Sequence, residues 1–330
     1  MLLPVEIINN IYLYTSAEDI INLAYTNKYM LNIFKNYSKK LLLEKFNVDY
    51  MDPDNFIYKY NNESINNFKL NNWDYNSLFE LYMKNYNKTI INCEYMNITG
   101  FPIYPKMTHF YGDDNHLREF PKQPNMIHFS GSSNLLYKFY IQPKMKYCSC
   151  NNNYLTSFPI QPNMTLFYGD FNFLVDFPSQ PEMIYFNGNR NELMSFSIQP
   201  KMEEFHGMNN YLTSFSKQPN MIRFYGDYNK IKRFAKQPRM THFYGRNNLL
   251  TEFPSQPNMI RFYGDYNLLK TFARQPKMTH FYGTNNLLTK FTKQPMMEHL
   301  YCDNNKLIYI SKQPKMRTFY CNLYNGKKLI

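Results

Sequence analysis

The sequence predicts an α+β chain, with a small helical domain at the N-terminus and then a solenoid of short parallel strands whose return side is mostly extended or turn. Three observations predict it. Residues 1–46 space their apolar side chains as helices do. A proline recurs every nineteen residues, at 105, 124, 143, 162, 181, 200, 219, 238, 257, 276, 295 and 314, with a methionine two residues after each. A nineteen-residue turn has room for one short strand and its return, but not for a helix as well.

In the first segment Leu3, Ile7, Ile8 and Ile11 fall on one helical face. Pro4 stands near the helix start, where a missing N–H is tolerated. Ser16 is placed to cap a second helix, with Asp19 completing a variant capping box and Ile20, Leu23 and Ala24 as its apolar stripe. A third stretch, Tyr29 to Phe46, carries Met30, Ile33, Leu42 and Leu43. Three helices this short bury little surface alone, so a partner is expected. Residues 47–87, Asn-rich around Asn61 and Asn71, are expected to form a helical linker between the two parts.

The solenoid is expected over 88–330, as a worn cap unit at 88–106 followed by twelve nineteen-residue units. Ile91, Cys93, Ile98 and Phe101 keep the cap in register. Read from the methionine, a unit is M-x-x-F-Y-G-x-x-N-x-L-x-x-F-x-x-Q-P-x. One turn cannot bury its own apolar face, but stacked turns can, so Met, both Phe and Leu should form four internal columns. M-x-x-F-Y-G is expected to be the only stretch with strand character, since aromatic residues suit a pleated surface. Gln-Pro reads as an extended return, because proline fixes φ and lacks an N–H. The Asn column fits a turn in which each side-chain amide satisfies nearby backbone groups.

Composition narrows the class. With 44% hydrophobic and 19% charged residues the chain is globular or repetitive rather than disordered. No apolar run approaches the ~20 residues of a membrane-spanning helix. The opening MLLPVEIINN lacks the basic start and cleavage site of a secretory signal. Five cysteines, an odd number, point to a reducing intracellular setting rather than a disulfide scaffold. The net charge of +12 admits nucleic acid, an anionic membrane or an acidic protein as partner classes.

Over roughly residues 107 to 325 the unit resembles the leucine-rich repeat, L-x-x-L-x-L-x-x-N-x-L, with Met and Phe at the first two apolar sites. It departs at the third, which is Gly in nine units and Cys in three. In the N-terminal segment, Leu3-Pro4, Glu6-Ile7, Ile11, Asp19-Ile20, Leu23 and Thr26-Asn27-Lys28 resemble an F-box. Trp73, with Leu78 and Leu81, resembles the aromatic segment that often follows one. That resemblance implies docking through Leu3, Pro4, Ile7, Ile11 and Ile20 on a Skp1-like adaptor, and through it a cullin. The chain would then be the non-catalytic substrate receptor of a ubiquitin ligase. The combination is similar to the F-box and leucine-rich-repeat proteins of amoeba-infecting, mimivirus-like giant viruses, which implies a place in the host cytoplasm or nucleus. A protist origin fits the Asn-, Lys- and Ile-rich usage equally.

Every cysteine sits at an internal repeat position, so all five are expected to be buried structural thiols rather than a metal or redox site. His109, His128, His242, His280 and His299 stand two residues after the methionine, where Arg223 and Arg261 stand in two other units. The residue after the first Phe is Tyr in eight units, and strand alternation sends both positions to one face. The concave sheet should therefore show a Tyr ladder beside a His/Arg ladder. Its expected substrate-binding residues are Arg223, Tyr225, His242, Tyr244, Arg261, Tyr263, His280 and Tyr282, and such residues favour protein hot spots or acidic peptides. Against this stands duplication: MIRFYGDYN at 221 and 259 alternates with MTHFYG at 240 and 278, so the ladder also records copying. Twelve Lys and Arg flank Gln-Pro and read as a solvated edge that keeps the solenoid soluble, which disfavours nucleic acid as a partner. The chain reads as a monomer with no membrane partner, no cofactor, no metal and no catalytic residue. A protein-interaction scaffold unrelated to ubiquitin is the alternative function.

Overall fold

A computed structural model describes residues 87–322, apart from 97, 99 and 102. The chain divides into two compact units, Met1–Met145 and Lys146–Ile330. In the first, the strands Ile90–Asn92, His109–Tyr111 and His128–Ser130 pair in parallel, always with a register of one turn. The second carries ten such strands in sequence, from Tyr147–Ser149 to Thr318–Tyr320. Where it is paired, Arg223 lies opposite His242 and His242 opposite Arg261, each nineteen residues on.

The α+β class is corrected. Every element among the described residues is a strand and there is no helix, so their class is a parallel β-solenoid of the leucine-rich-repeat type. Within the repeats the absence of helix is the one expected, since strand, turn and proline-fixed return use up the nineteen residues; what falls is the helical half of the class, which no described residue supports. The helices expected in residues 1–46, the linker to residue 86, and the adaptor-docking Leu3, Pro4, Ile7, Ile11 and Ile20 lie outside the described residues. A second correction concerns the return side. It too carries strands, two residues long and ending on the second Phe or its replacement, as in Arg233–Phe234, Glu252–Phe253 and Thr271–Phe272. Some of these pair in parallel with the next turn, as Glu252–Phe253 does with Thr271–Phe272.

The four apolar columns are internal. Met221, Phe224, Ile231 and Phe234 are all buried, and so are their counterparts turn after turn from Met107 as far as Ile310. Phe205, Phe224, Phe243 and Phe262 stack with centroids 5.2–5.3 Å apart. Rings of the second Phe column enter edge-on, Phe234 lying 4.8 Å from Phe224 and 4.9 Å from Phe243. Alternating stacked and edge contacts suit the aromatic quadrupole and add to plain burial.

Two columns of buried amides hold the turns together. Asn248 Oδ1 accepts the Ile231 N–H at 3.0 Å, while its Nδ2 donates to the Gly226 and Arg246 carbonyls at 2.9 and 3.2 Å. This is the role expected of the Asn column. The Gln column does as much. Gln237 donates its backbone N–H to Gln256 Oε1 at 2.7 Å and accepts the Gln218 N–H on its own Oε1 at the same distance. The chain repeats that bond from Gln161 through Gln313. A buried backbone N–H left without an acceptor costs about 1–3 kcal/mol, so the fully buried Gln is structural rather than part of a solvated return.

The departure at the third apolar site has a steric cause. In each of the nine Phe-x-Gly turns the Phe ring folds over the glycine, and a Cβ there would collide with it. Where the site is Cys, the residue two before it is Ile91, Cys148 or Leu300, each smaller than Phe. Cys321 is the exception: Phe319 precedes it and is only half-buried. Cys93, Cys148 and Cys150 are buried free thiols, but Cys302 and Cys321 are joined as a disulfide across 4.6 Å between Cα atoms. The expectation of five free thiols is therefore corrected. Stacking in register brings equivalent positions of neighbouring turns within bonding range, and a reducing compartment would keep that bond open.

Gly245→Ala should destabilise the fold by about 1–3 kcal/mol through collision with Phe243. Adding Phe243→Leu, which restores a pairing the chain uses at Leu300 and Cys302, should recover part of the loss. Denaturant unfolding of both single variants and the double variant measures this, and strictly additive losses would contradict the ring-over-glycine account.

Candidate protein-binding face of the second unit

All eight expected substrate-binding residues share the outer face of the long sheet in the second unit. They stand there because the middle residue of each three-residue strand is buried Phe, so its two neighbours must point the other way. Arg223, His242, Arg261, His280 and His299 form one column. Beside it runs an unbroken stack of rings from His206 through Tyr225, Tyr244, Tyr263, Tyr282 and Tyr301 to Tyr320, with centroids 4.3–5.1 Å apart. The planes from Tyr225 to Tyr301 tilt by no more than 9° between neighbours. The stack therefore presents ring edges and phenol hydroxyls, not ring faces, to a visitor.

Each end of the cationic column meets a carboxylate. Glu204 takes Arg223 Nη1 at 2.9 Å and His206 Nε2 at 2.7 Å. Burial works against the Glu204 charge, but its bonds to His206 and Arg223 outweigh it and hold the carboxyl below its usual range. At the other end Glu298 lies 4.0 Å from His299 Nε2, and 3.6 Å from Arg317 beside the column. Between them Arg261 is exposed, and its charge acts on the neighbouring Tyr244 phenol, partly offsetting the rise that burial causes there. The Glu204 anchor and the place of His206 in the Tyr stack were absent from the expected site. Both can be read from register, since Glu204 and His206 are one turn from Arg223 and Tyr225.

The histidines are oriented by threonines. Thr241 Oγ1 lies 3.2 Å from the Ile222 carbonyl and 2.8 Å from His242 Nδ1. With the hydroxyl proton given to the carbonyl, His242 donates from Nδ1, and neutral Nε2 is left as an acceptor facing outward. Thr279 does the same for His280, at 3.3 and 2.8 Å. Burial lowers the His242 pKa, with Arg261 and Arg223 adding to the effect; burial, His299 and Arg261 lower that of His280. Near neutrality the column from Arg223 to His280 therefore alternates charged Arg with neutral His. Burial also pushes the Tyr225, Tyr244 and Tyr282 phenols up, so they stay protonated donors.

A second concavity of about 600 Å³ lies along the short strands, floored by Phe215, Phe234, Phe253 and Phe272 and walled by small residues such as Ala235 and Ala273. None of the face residues lines it.

No family model matches the sequence, and no curated protein is similar to it. Solved structures are similar. The leucine-rich effector protein YopM from Yersinia pestis superimposes with a TM-score of 0.59 at 17% identity, covering 74% of this chain and 76% of that one. A leucine-rich-repeat protein of Leptospira interrogans gives 0.39 at 15% identity, covering 66% and 73%. Toll, in its complex with Spatzle from Drosophila, gives 0.43 at 15% identity, covering 69% of this chain and 35% of that one. The first shows a shared leucine-rich-repeat fold, in agreement with the spacing of the units.

In an NMR titration His242 and His280 should titrate below an ordinary imidazole, and Arg261→Gln should raise both. A lowered folded value means that the unfolded chain takes up the proton first. The two histidines thus remove stability as pH falls through the ordinary imidazole range, and Arg261→Gln should lessen that loss. Unchanged midpoints in the variant would contradict the coupling.

Proposed function

We propose that this chain is a non-catalytic protein-binding scaffold, and that the sheet face from Arg223 to Tyr301 holds the partner. One observation carries the reading: the stacked Tyr row beside the Arg/His row stands on a sheet whose backbone is paired turn to turn. Rings held by their neighbours have little conformational freedom left to lose on binding, and Tyr and Arg are the residues that dominate protein hot spots. Tandem copying accounts for the repetition of these residues. It accounts as well for the Thr–His pair, which every MTHFYG unit carries, but not for the acidic anchor at one end.

The finer reading, a substrate receptor that docks a Skp1-like adaptor and a cullin, rests on the resemblance of residues 3–28 to an F-box. Those residues lie outside the described part, and no observation within it favours a ubiquitin role over a plain scaffold.

The test is a selection of displayed protein fragments against the immobilised full chain. Tyr244→Ala and Tyr263→Ala should each weaken the enriched binders about tenfold or more, equivalent to ~1.4 kcal/mol. Enrichment of binders indifferent to both substitutions would refute the assignment of this face.

A further inference from the structure

The charge of the second unit is sharply divided along its length. Between residues 147 and 216 two cations, Arg190 and Lys201, stand against six carboxylates, a net charge of −4. Between 217 and 317 eighteen Lys and Arg stand against five carboxylates, a net charge of +13, slightly more than the +12 of the whole chain. Of those five, only Glu252 is exposed. Asp227 and Asp265 accept the backbone N–H of Arg246 and Thr284, one turn on, at 2.7 and 2.9 Å. Glu298 belongs to the sheet face, beside Arg317.

Much of the surplus collects on the Gln-Pro edge. Lys217, Lys236, Arg274, Lys293 and Lys312 precede the Gln, and Arg239, Lys277 and Lys315 follow the Pro; all eight are exposed. In these turns the two columns contain no carboxylate, the other residues being Ser255, Asn220, Asn258 and Met296. The buried Gln ladder fixes the backbone from which the cations rise. Arg239 and Lys277 are steered over the preceding turn by Asn220 and Asn258, at 3.0 and 2.7 Å. With turns ~4.8 Å apart, Lys217 to Lys312 makes a row ~24 Å long.

Solubility needs charge but not its segregation. Like charges on neighbouring turns repel, so the row carries a cost in the free protein that a polyanion would relieve. Copying of whole turns does not suffice either, because Lys217, Lys236, Lys293 and Lys312 follow Ser, Ala, Thr and Ser respectively, in turns that otherwise differ. A membrane face would mix apolar side chains with the cations. Here the large apolar residues of the same column, Ile141, Ile160 and Ile198, all lie outside the basic turns. The edge also lacks aromatic rings on which unpaired bases could stack.

We infer that the Gln-Pro edge between Lys217 and Lys315 binds the phosphate backbone of duplex nucleic acid without reading its bases. This face is separate from the one assigned to a protein partner, and the two assignments stand or fall independently.

The test is fluorescence anisotropy of a short labelled duplex DNA of mixed sequence with the full chain. Affinity should fall roughly 10³-fold or more as salt rises from about 50 to 200 mM, as release of counterions from several phosphates requires. Lys236→Gln/Arg274→Gln/Lys293→Gln/Lys312→Gln should weaken binding at least about tenfold and flatten the salt dependence. Lys106→Gln/Lys122→Gln/Lys138→Gln/Lys144→Gln, the same change of charge in the first unit, should leave both nearly unchanged. Circular dichroism confirms that each variant is folded. Absence of binding at low salt, equal loss in the two variants, or tighter binding to phosphatidylserine vesicles than to the duplex would each overturn the inference.

Discussion

The buried side-chain amide that reaches one turn back is the contact on which the solenoid depends. Apolar columns supply the driving force, but hydrophobic burial has no direction and would tolerate a slipped register. Asn and Gln do not tolerate it. Asn248 meets Ile231 and Gly226, and Gln256 meets Gln237, only when consecutive turns sit nineteen residues apart. A slip by one residue would leave buried N–H and C=O groups unpaired along the entire stack, at a cost that grows with every turn. The twelve insertion-free units are the sequence record of that constraint.

The same register explains both faces. On the sheet side it places Tyr over Tyr and Arg beside His, so that a surface of stacked rings arises from one residue choice repeated. On the Gln-Pro side it places Lys near Lys. Stacking rings gain from proximity, whereas stacked cations lose by it. Repetition thus builds a self-supporting surface on one side and an electrostatically loaded one on the other.

Much of this was legible in the sequence because periodicity converts directly into columns. Met, Phe and Leu recur at fixed offsets and are buried; Asn was read as a turn amide and is one. Gln was misread because it adjoins proline, and the pair resembles an extended surface return; its burial becomes evident only once the return side is seen to pack. The short strands ending on Phe234 or Phe253 were missed because two residues are too few to show alternation. The link between Phe and Gly was visible as composition but not as cause, since it depends on a ring lying over a particular Cα. Of the face, the cationic and tyrosine columns were legible. The Glu204 anchor was legible too, one turn from Arg223, but was passed over as an interruption of the pattern; the threonines that orient the histidines were not, being neighbours outside the two columns.

The amide ladders also have a direction. Each Gln side chain completes the backbone of the turn before it, never that of the turn after. A chain emerging from the ribosome would therefore have each turn finished by the next to appear, and the solenoid would be built in the order of its translation. Its unfinished end at any moment of synthesis is the C-terminal one, so growth proceeds from a single end, as it does in a filament with one active tip.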